Sequence, residues 1–150
     1  MLADYIKNDL IFLDLEARDR ADLFTQVAEK CQERGYVNDG FLSFLNTRED
    51  NYPTGLDLGT YQVAIPHGDP EFVKRPFISL IRLAHGVDMK KMEDSESVIS
   101  VRLFFILGLT DGGSHVEILR DVIKKLQNET FVAQLLESKT TDDVLSLVRT

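Results

Sequence analysis

Apolar and polar positions change their period several times along the chain, and each change predicts a new element. The mostly apolar run Leu10–Leu15 predicts a first β-strand. A helix is predicted next, because five apolar residues recur on one helical face: Leu23, Phe24, Val27, Ala28 and Cys31. Gly35 then stands where a helix C-cap is expected. A second helix is predicted from about Asp39 to Arg48, with these residues directed inwards: Phe41, Leu42 and Leu45.

Three further strands are predicted after a long connection. The segment 49–61 contains Pro53, Gly55 and Gly59 and is predicted to be a loop, of a length that is often functional. The strands that follow are predicted at 61–65, 77–83 and 98–109. The last of them has an unbroken apolar run from Leu103 to Leu107, which is typical of a central strand covered on both faces.

The last forty residues predict three helices. The first, at 111–127, has the S-x-x-E spacing of a capping box at Ser114 and Glu117. Its apolar stripe is formed by Val116, Leu119, Val122, Ile123 and Leu126. Two shorter helices are predicted at 129–138 and 140–149. The order of elements predicts one α/β domain spanning 1–150, with a mixed β-sheet and helices on both faces, an α/β/α sandwich.

Composition narrows the possible function classes. The net charge is −8 and the basic residues are scattered, so we expect no nucleic-acid partner. No apolar run reaches the length of a membrane span, and the first twenty residues lack the features of a signal peptide. The lone Cys31, interpreted as a core residue, allows no internal disulfide or cysteine-based zinc site. We therefore expect a cytoplasmic protein that does not insert into the membrane.

The stretch "AIPHGDP" carries the main candidate for chemistry. Pro66 cannot donate to a β-ladder, so the strand is expected to end there and to place His67 in a tight loop. A mostly neutral imidazole at that position has a free ring nitrogen and could be an exposed nucleophile. It could equally be a loop histidine that is hydrogen-bonded to backbone, and spacing alone leaves both readings open.

The other two histidines give weaker signals. His115 is expected in the first turn of its helix, where it could help bind an anion such as a phosphoryl group or be an ordinary polar residue. His85 precedes a glycine and is interpreted as a turn residue without function. No HExxH pattern, Cys/His cluster, P-loop or G-x-S-x-G elbow occurs, so the sequence predicts neither a metal nor another cofactor.

The segment "NTREDNYPTGLDLGTYQVAIPHGDP" resembles the enzyme IIA domains of the bacterial sugar phosphotransferase system, in the fructose/mannitol superfamily. The shared pattern is Arg48-Glu49, then Pro53–Gly55, then Ala64–His67. The continuation "HGDPEFVKRP" is more similar to the galactitol-type branch than to the fructose or nitrogen-regulatory branches. The resemblance extends over nearly the whole chain, including the helix that begins near His115.

The resemblance implies a phosphoryl carrier. It implies that His67 accepts a phosphoryl group from the phosphocarrier protein HPr and passes it to a cysteine of enzyme IIB, which serves the membrane enzyme IIC. Arg48 would steady the phosphoryl oxygens, and His115 would hydrogen-bond His67 or its phosphoryl group. We expect Glu49 to point away from the phosphoryl group or to pair with a basic group, since a nearby carboxylate would repel it.

Two alternatives belong to other classes. One is a regulatory protein in which phosphorylation of His67 controls binding to a non-transport partner. The other is a phosphate-binding module in which His67 is inert.

Overall fold

The computed structural model describes residues 2–110 and 112–149, and of residues 112–114 only the backbone. Five strands form one sheet in this part of the chain: β1 (Ile6–Leu15), β2 (Gly55–Asp57), β3 (Gln62–Ala64), β4 (Phe77–Lys90) and β5 (Val98–Gly108). The helices of the same residues are α1 (Leu2–Tyr5), α2 (Arg20–Glu33), α3 (Phe41–Asn51), α4 (Gly112–Leu126), α5 (Glu129–Glu137) and α6 (Thr141–Val148). No helix among them is long and apolar enough to cross a membrane.

The sheet is mixed, and β5 lies at its centre. The spatial order is β1-β4-β5-β3-β2. The pairs β1–β4 and β3–β5 are parallel, whereas β4–β5 and β2–β3 are antiparallel. The apolar run Leu103–Leu107 of β5 is buried along its whole length, which confirms the predicted central strand.

Helices cover both faces of the sheet. On one face α2 and α3 pack through apolar residues that include Phe24, Phe41 and Leu45. On the other face α4, α5 and α6 pack through residues such as Val122 and Leu135. This arrangement confirms the predicted α/β class with a mixed sheet between two helical layers.

The helix α2 follows its sequence pattern closely. All five residues of the predicted apolar face are buried. The side chain of Asp19 accepts a hydrogen bond from the Asp22 N–H at the start of the helix. Gly35 follows the C-cap with a φ of 80°, the left-handed conformation that favours glycine. In α3, Phe41 and Leu45 are buried as predicted, while Leu42 is partly buried.

Two regions that were predicted as a loop and a turn because they contain glycines form β-strand instead. Part of the predicted loop 49–61 forms β2, because Gly55 pairs with Ala64 and a Cβ there would lie 2.5 Å from the Lys90 carbonyl oxygen. His85, predicted in a turn, lies exposed in β4, where the register with β5 shifts between Arg82 and Val87. Gly86 beside it permits close contact with β5, since a Cβ would meet the Ser100 hydroxyl at 2.2 Å.

The helix α4 differs from its prediction at its beginning. It begins at Gly112, so Ser114 lies inside the first turn instead of at the N-cap. The Ser114 side chain, which the predicted capping box requires, lies outside the described part of the structure. Val122 and Leu126 are buried as predicted, but Val116 is 56% exposed. The face in contact with the sheet instead includes Ile118, one turn before Val122.

Candidate functional site

The segment that carries His67 remains attached to the central strand after β3 ends. The Pro66 carbonyl accepts a hydrogen bond from the Leu107 N–H (2.8 Å), and the Gly68 N–H donates to the Leu107 carbonyl (3.1 Å). β3 and β5 are parallel, so His67 lies at their carboxyl edge, where α4 begins four residues after β5. The topology therefore brings His67 and His115 to the same edge of the sheet.

Two hydrogen bonds define the tautomer of the His67 ring. The Ile65 carbonyl lies 2.9 Å from Nδ1, and Nη2 of Arg48 lies 3.1 Å from Nε2. A guanidinium group can only donate, so Nε2 must accept and the proton must be on Nδ1, which donates to Ile65. The lone pair of the neutral ring is thus on Nε2 and faces Arg48.

The His67 side chain is buried, which makes the expectation of an exposed imidazole wrong. Only 6% of the residue is accessible, because Arg48 from α3 and His115 from α4 lie against the ring. Burial is the main cause that lowers the pKa of His67, and the Arg48 and His115 charges lower it further, although the hydrogen bond to Ile65 opposes them. The lowered pKa keeps the imidazole neutral at pH 7, as predicted.

Arg48 uses only part of its hydrogen-bonding capacity. Its Nη2 donates to His67, and its guanidinium carbon lies 5.2 Å from the centre of the Tyr52 ring. Its Nε is buried and has no hydrogen-bond partner in the described part of the chain. Nε and Nη2 point along the same edge of a guanidinium, so one of the two donors of a bidentate fork has no acceptor among the described residues, next to the donor that binds His67.

His115 completes the cluster from the first turn of α4. Its ring is packed edge-to-face against that of His67, with centres 5.3 Å apart and planes at 71°. Partial burial is the main cause that lowers the pKa of His115, and the Arg48 charge lowers it further. The structure therefore brings together all three candidate residues: Arg48, His67 and His115.

The buried carboxylate of Glu49 is connected by hydrogen bonds to the segment that carries His67. Glu49 is 2% exposed and accepts hydrogen bonds from the Thr54 N–H and the Thr54 hydroxyl, both at 2.8 Å. The Thr54 carbonyl in turn accepts from the Ile65 N–H, and Ile65 holds Nδ1 of His67. Burial raises the pKa of Glu49 despite the hydrogen bonds from Thr54, which lower it. These partners come from a threonine and not from the basic group that we considered for Glu49.

Two neighbours of His67 have structural roles. Gly68 packs directly on Phe41, the first residue of α3, and a Cβ at Gly68 would lie 2.4 Å from an atom of that ring. Asp69 accepts a hydrogen bond from the Glu71 N–H and caps the short 3-10 turn Pro70–Phe72. Asp69 therefore organises the chain just beyond the candidate site.

The sequence reasoning assigned no role to Tyr52 or Thr54. The signal for Tyr52 is its spacing from Arg48, since residues four apart on a helix lie on the same side. Thr54 lies in the shared pattern Pro53–Gly55, but its contact with Glu49 was not predicted, because that contact depends on how the chain turns after α3. Elsewhere, Cys31 is fully buried, which confirms its interpretation as a core residue, and this burial raises the pKa of its thiol to about 12.

The comparison with protein families decides the identity at family level. The family described as "Phosphoenolpyruvate-dependent sugar phosphotransferase system, EIIA 2" matches residues 4–150. The chain belongs to this EIIA family. The predicted resemblance is therefore confirmed, and with it the class of activity: EIIA components are phosphotransferases that carry phosphate in sugar uptake.

Relatives of this EIIA chain fall into more than one sugar class. The fructose-like EIIA component of Escherichia coli K12 is 30% identical over 142 residues, which are 92% of this chain and 90% of the relative. The galactitol-specific EIIA component of the same strain is 29% identical over 118 residues, or 79% and 78% of the two chains. Galactitol-type proteins are thus one group among several relatives.

The EIIA fold is confirmed by solved structures. The complex of enzyme IIAMTL and phosphorylated enzyme IIBMTL from Escherichia coli matches with a TM-score of 0.77. The match is 22% identical and covers 96% of each chain.

Proposed function

We propose that this EIIA chain, as one domain over 1–150, accepts a phosphoryl group on Nε2 of His67 from phosphorylated HPr. It then passes the group to a cysteine of enzyme IIB, through which it serves the membrane enzyme IIC. This role places the protein in the cytoplasm and requires no cofactor. The observation that carries the proposal is the orientation of His67, whose Nδ1 is held by Ile65 while the Nε2 lone pair faces Arg48.

The only covalent bonds that form or break during the two transfers are bonds to phosphorus. The Nε2 lone pair forms a bond to phosphorus as the P–N bond of the HPr phosphohistidine breaks, and the HPr imidazole leaves with that electron pair. In the second step the thiolate of enzyme IIB forms a P–S bond, and His67 recovers its lone pair. The proton stays on Nδ1 throughout, and its hydrogen bond to the Ile65 carbonyl stabilises the positive charge of the phosphorylated ring.

Arg48 supports the proposal through its Nε, which has no hydrogen-bond partner among the described residues. When the lone pair attacks phosphorus, Nη2 loses its acceptor on His67, and both N–H groups of the fork can donate to phosphoryl oxygens. Stabilising charge that develops in a site largely closed to water is an effective form of catalysis. His115, with its ring against His67, would contribute a further donor.

The choice of partners rests on the family and on one of the similar solved structures. The complex of enzyme IIAMTL with phosphorylated enzyme IIBMTL supports an enzyme IIB as acceptor. We propose a galactitol-type enzyme IIB, because "HGDPEFVKRP" resembles that branch.

The test is intact-mass measurement after incubation with phosphorylated HPr. The wild type should gain one phosphoryl group as an acid-labile, base-stable phosphoramidate, and His67→Ala should gain none. The matched control is His85→Ala, which removes an exposed histidine outside the site and should be phosphorylated like the wild type. A phosphorylated His67→Ala would disprove the assignment.

A panel of enzymes IIB then identifies the acceptor. Preferential loss of the phosphoryl group to a galactitol-type enzyme IIB supports the sugar class, and preference for a fructose-type enzyme IIB refutes it. Retention of the group in the presence of every enzyme IIB would favour the regulatory alternative.

A further inference from the structure

Tyr52 lies beside Arg48 at the end of α3 and is two-thirds exposed. It is the C-cap residue of the helix, and its N–H donates to the Arg48 carbonyl at 2.7 Å. Its ring centre lies 5.2 Å from the Arg48 guanidinium carbon, while 66% of the residue remains accessible. An aromatic ring so exposed makes little contribution to the core, so its packing on Arg48 calls for another explanation.

An aromatic face can hold a guanidinium without occupying its N–H groups. The attraction is between the cation and the negative face of the ring, so the donors along the guanidinium edge are left available. A carboxylate in the same place would instead accept hydrogen bonds from that edge and compete with a phosphoryl group. The observed state fits this division: the ring contacts Arg48, Nη2 donates to His67, and Nε has no partner in the described part of the chain.

We propose that Tyr52 is a positioning residue for phosphoryl transfer, whose ring holds the Arg48 fork towards Nε2 of His67. The inference rests on the proposed function of His67, but the contact between Tyr52 and Arg48 exists without a partner. A protein that docks over the buried His67 would also cover the exposed ring. Cation–π attraction is stronger when water is removed, so docking would hold Arg48 most firmly at the moment of transfer.

Two substitutions distinguish an effect of the aromatic face of Tyr52 from an effect of side-chain volume alone. Tyr52→Leu removes the ring, and Tyr52→Phe retains its face. Neither change should disturb the fold, since the side chain is mostly exposed and the backbone hydrogen bond to Arg48 remains in both variants. The melting temperature of each variant checks this.

The first readout is NMR titration of the His67 ring without any partner. Among the residues that the structure describes, the charged or titratable groups that act on this ring are Arg48 and His115. If Tyr52 holds Arg48 in place, Tyr52→Leu lets the guanidinium move away from Nε2, and the pKa of His67 should rise. Tyr52→Phe should titrate like the wild type. His115, followed in the same spectra, shows whether the first turn of α4 has moved.

The second readout is single-turnover transfer from phosphorylated HPr at several concentrations. Tyr52→Leu should lower the maximal transfer rate roughly two- to fivefold, the range that corresponds to a cation–π contact at an exposed site, and half-saturation should change less. Tyr52→Phe should restore the rate.

Three results would overturn the inference: an unchanged His67 titration in Tyr52→Leu, a change confined to half-saturation, or a Phe variant that behaves like the Leu variant. If instead no protein, including the wild type, is phosphorylated, the proposed function fails. The His67 titration still decides the role of Tyr52 as a support for Arg48.

Discussion

Replacement of Arg48 by lysine tests whether a fork or only a positive charge is needed beside His67. The present hydrogen bond joins Nη2 to Nε2 at 3.1 Å, and the neighbouring Nε has no partner in the described part of the chain. Lysine keeps the charge and offers one compact ammonium group, so one of the two donors to the phosphoryl oxygens is lost. A hydrogen bond to a charged group contributes about 1.5–3 kcal/mol, which corresponds to a roughly 10- to 150-fold slower transfer.

The assay is rapid-quench transfer from phosphorylated HPr under single-turnover conditions. Lysine has nearly the helix propensity of arginine, so α3 and the thermal stability should be retained, and circular dichroism checks this. Arg20→Lys is a matched control, because Arg20 pairs with Asp50 at 2.6 Å on the surface and does not contact His67. Equal transfer rates for Arg48→Lys and the wild type would refute the argument from the fork.

Three further predictions concern the residues around Arg48. His115→Ala should still be phosphorylated on His67, but roughly 10- to 150-fold more slowly in the same assay, because one hydrogen bond to a charged group, worth about 1.5–3 kcal/mol, is lost; full speed would return His115 to a purely structural role. The pKa of His67 is lowered in the folded protein, so protonation favours the unfolded chain as the pH falls below about 6.5. Urea unfolding of the wild type and of His67→Asn should therefore show that the difference between their free energies of unfolding becomes less favourable to the wild type below that pH. Glu49, whose pKa is raised, contributes in the opposite direction, but this contribution cancels because both proteins contain it. A difference that does not change with pH would contradict the lowered pKa of His67. Glu49→Ala should lower the free energy of unfolding by about 2–6 kcal/mol, since two buried Thr54 donors lose their acceptor, whereas Glu49→Gln should lose much less; equal losses would show that the charge of Glu49 matters more than its hydrogen bonds.

The sequence predicts the layers of this fold better than its irregular parts. Leu103–Leu107 identified the central strand because a strand buried on both faces must be apolar throughout. Gly55 and Gly86 were misleading, since both looked like loop or turn residues. In fact each allows two strands to approach, at the Lys90 carbonyl and the Ser100 hydroxyl. A single sequence does not distinguish these two uses of glycine.

The candidate site was predictable in its residues and not in its burial. The "AIPH" pattern and the resemblance identified His67, Arg48 and His115, and the structure brings them together. The burial of His67 depends on how α3 and α4 meet at the carboxyl edge of the sheet, which is a long-range property. The same is true of the contacts from Glu49 to Thr54 and from Thr54 to Ile65, because the partners depend on the path of the chain after α3.

The contact between Gly68 and Phe41 has a consequence for how the protein can vary. Phe41 and Arg48 are seven residues apart on α3 and so lie on the same side of that helix. The Phe41 ring rests on the backbone of Gly68, and this close packing between α3 and the segment that carries His67 is possible only because glycine has no Cβ. A Cβ at this position must displace the buried Phe41 ring, and any part of that shift that α3 takes up moves Arg48 relative to His67. The distance between Arg48 and His67 thus depends on a contact that includes neither of them, and an alanine at position 68 would change their geometry without touching either residue.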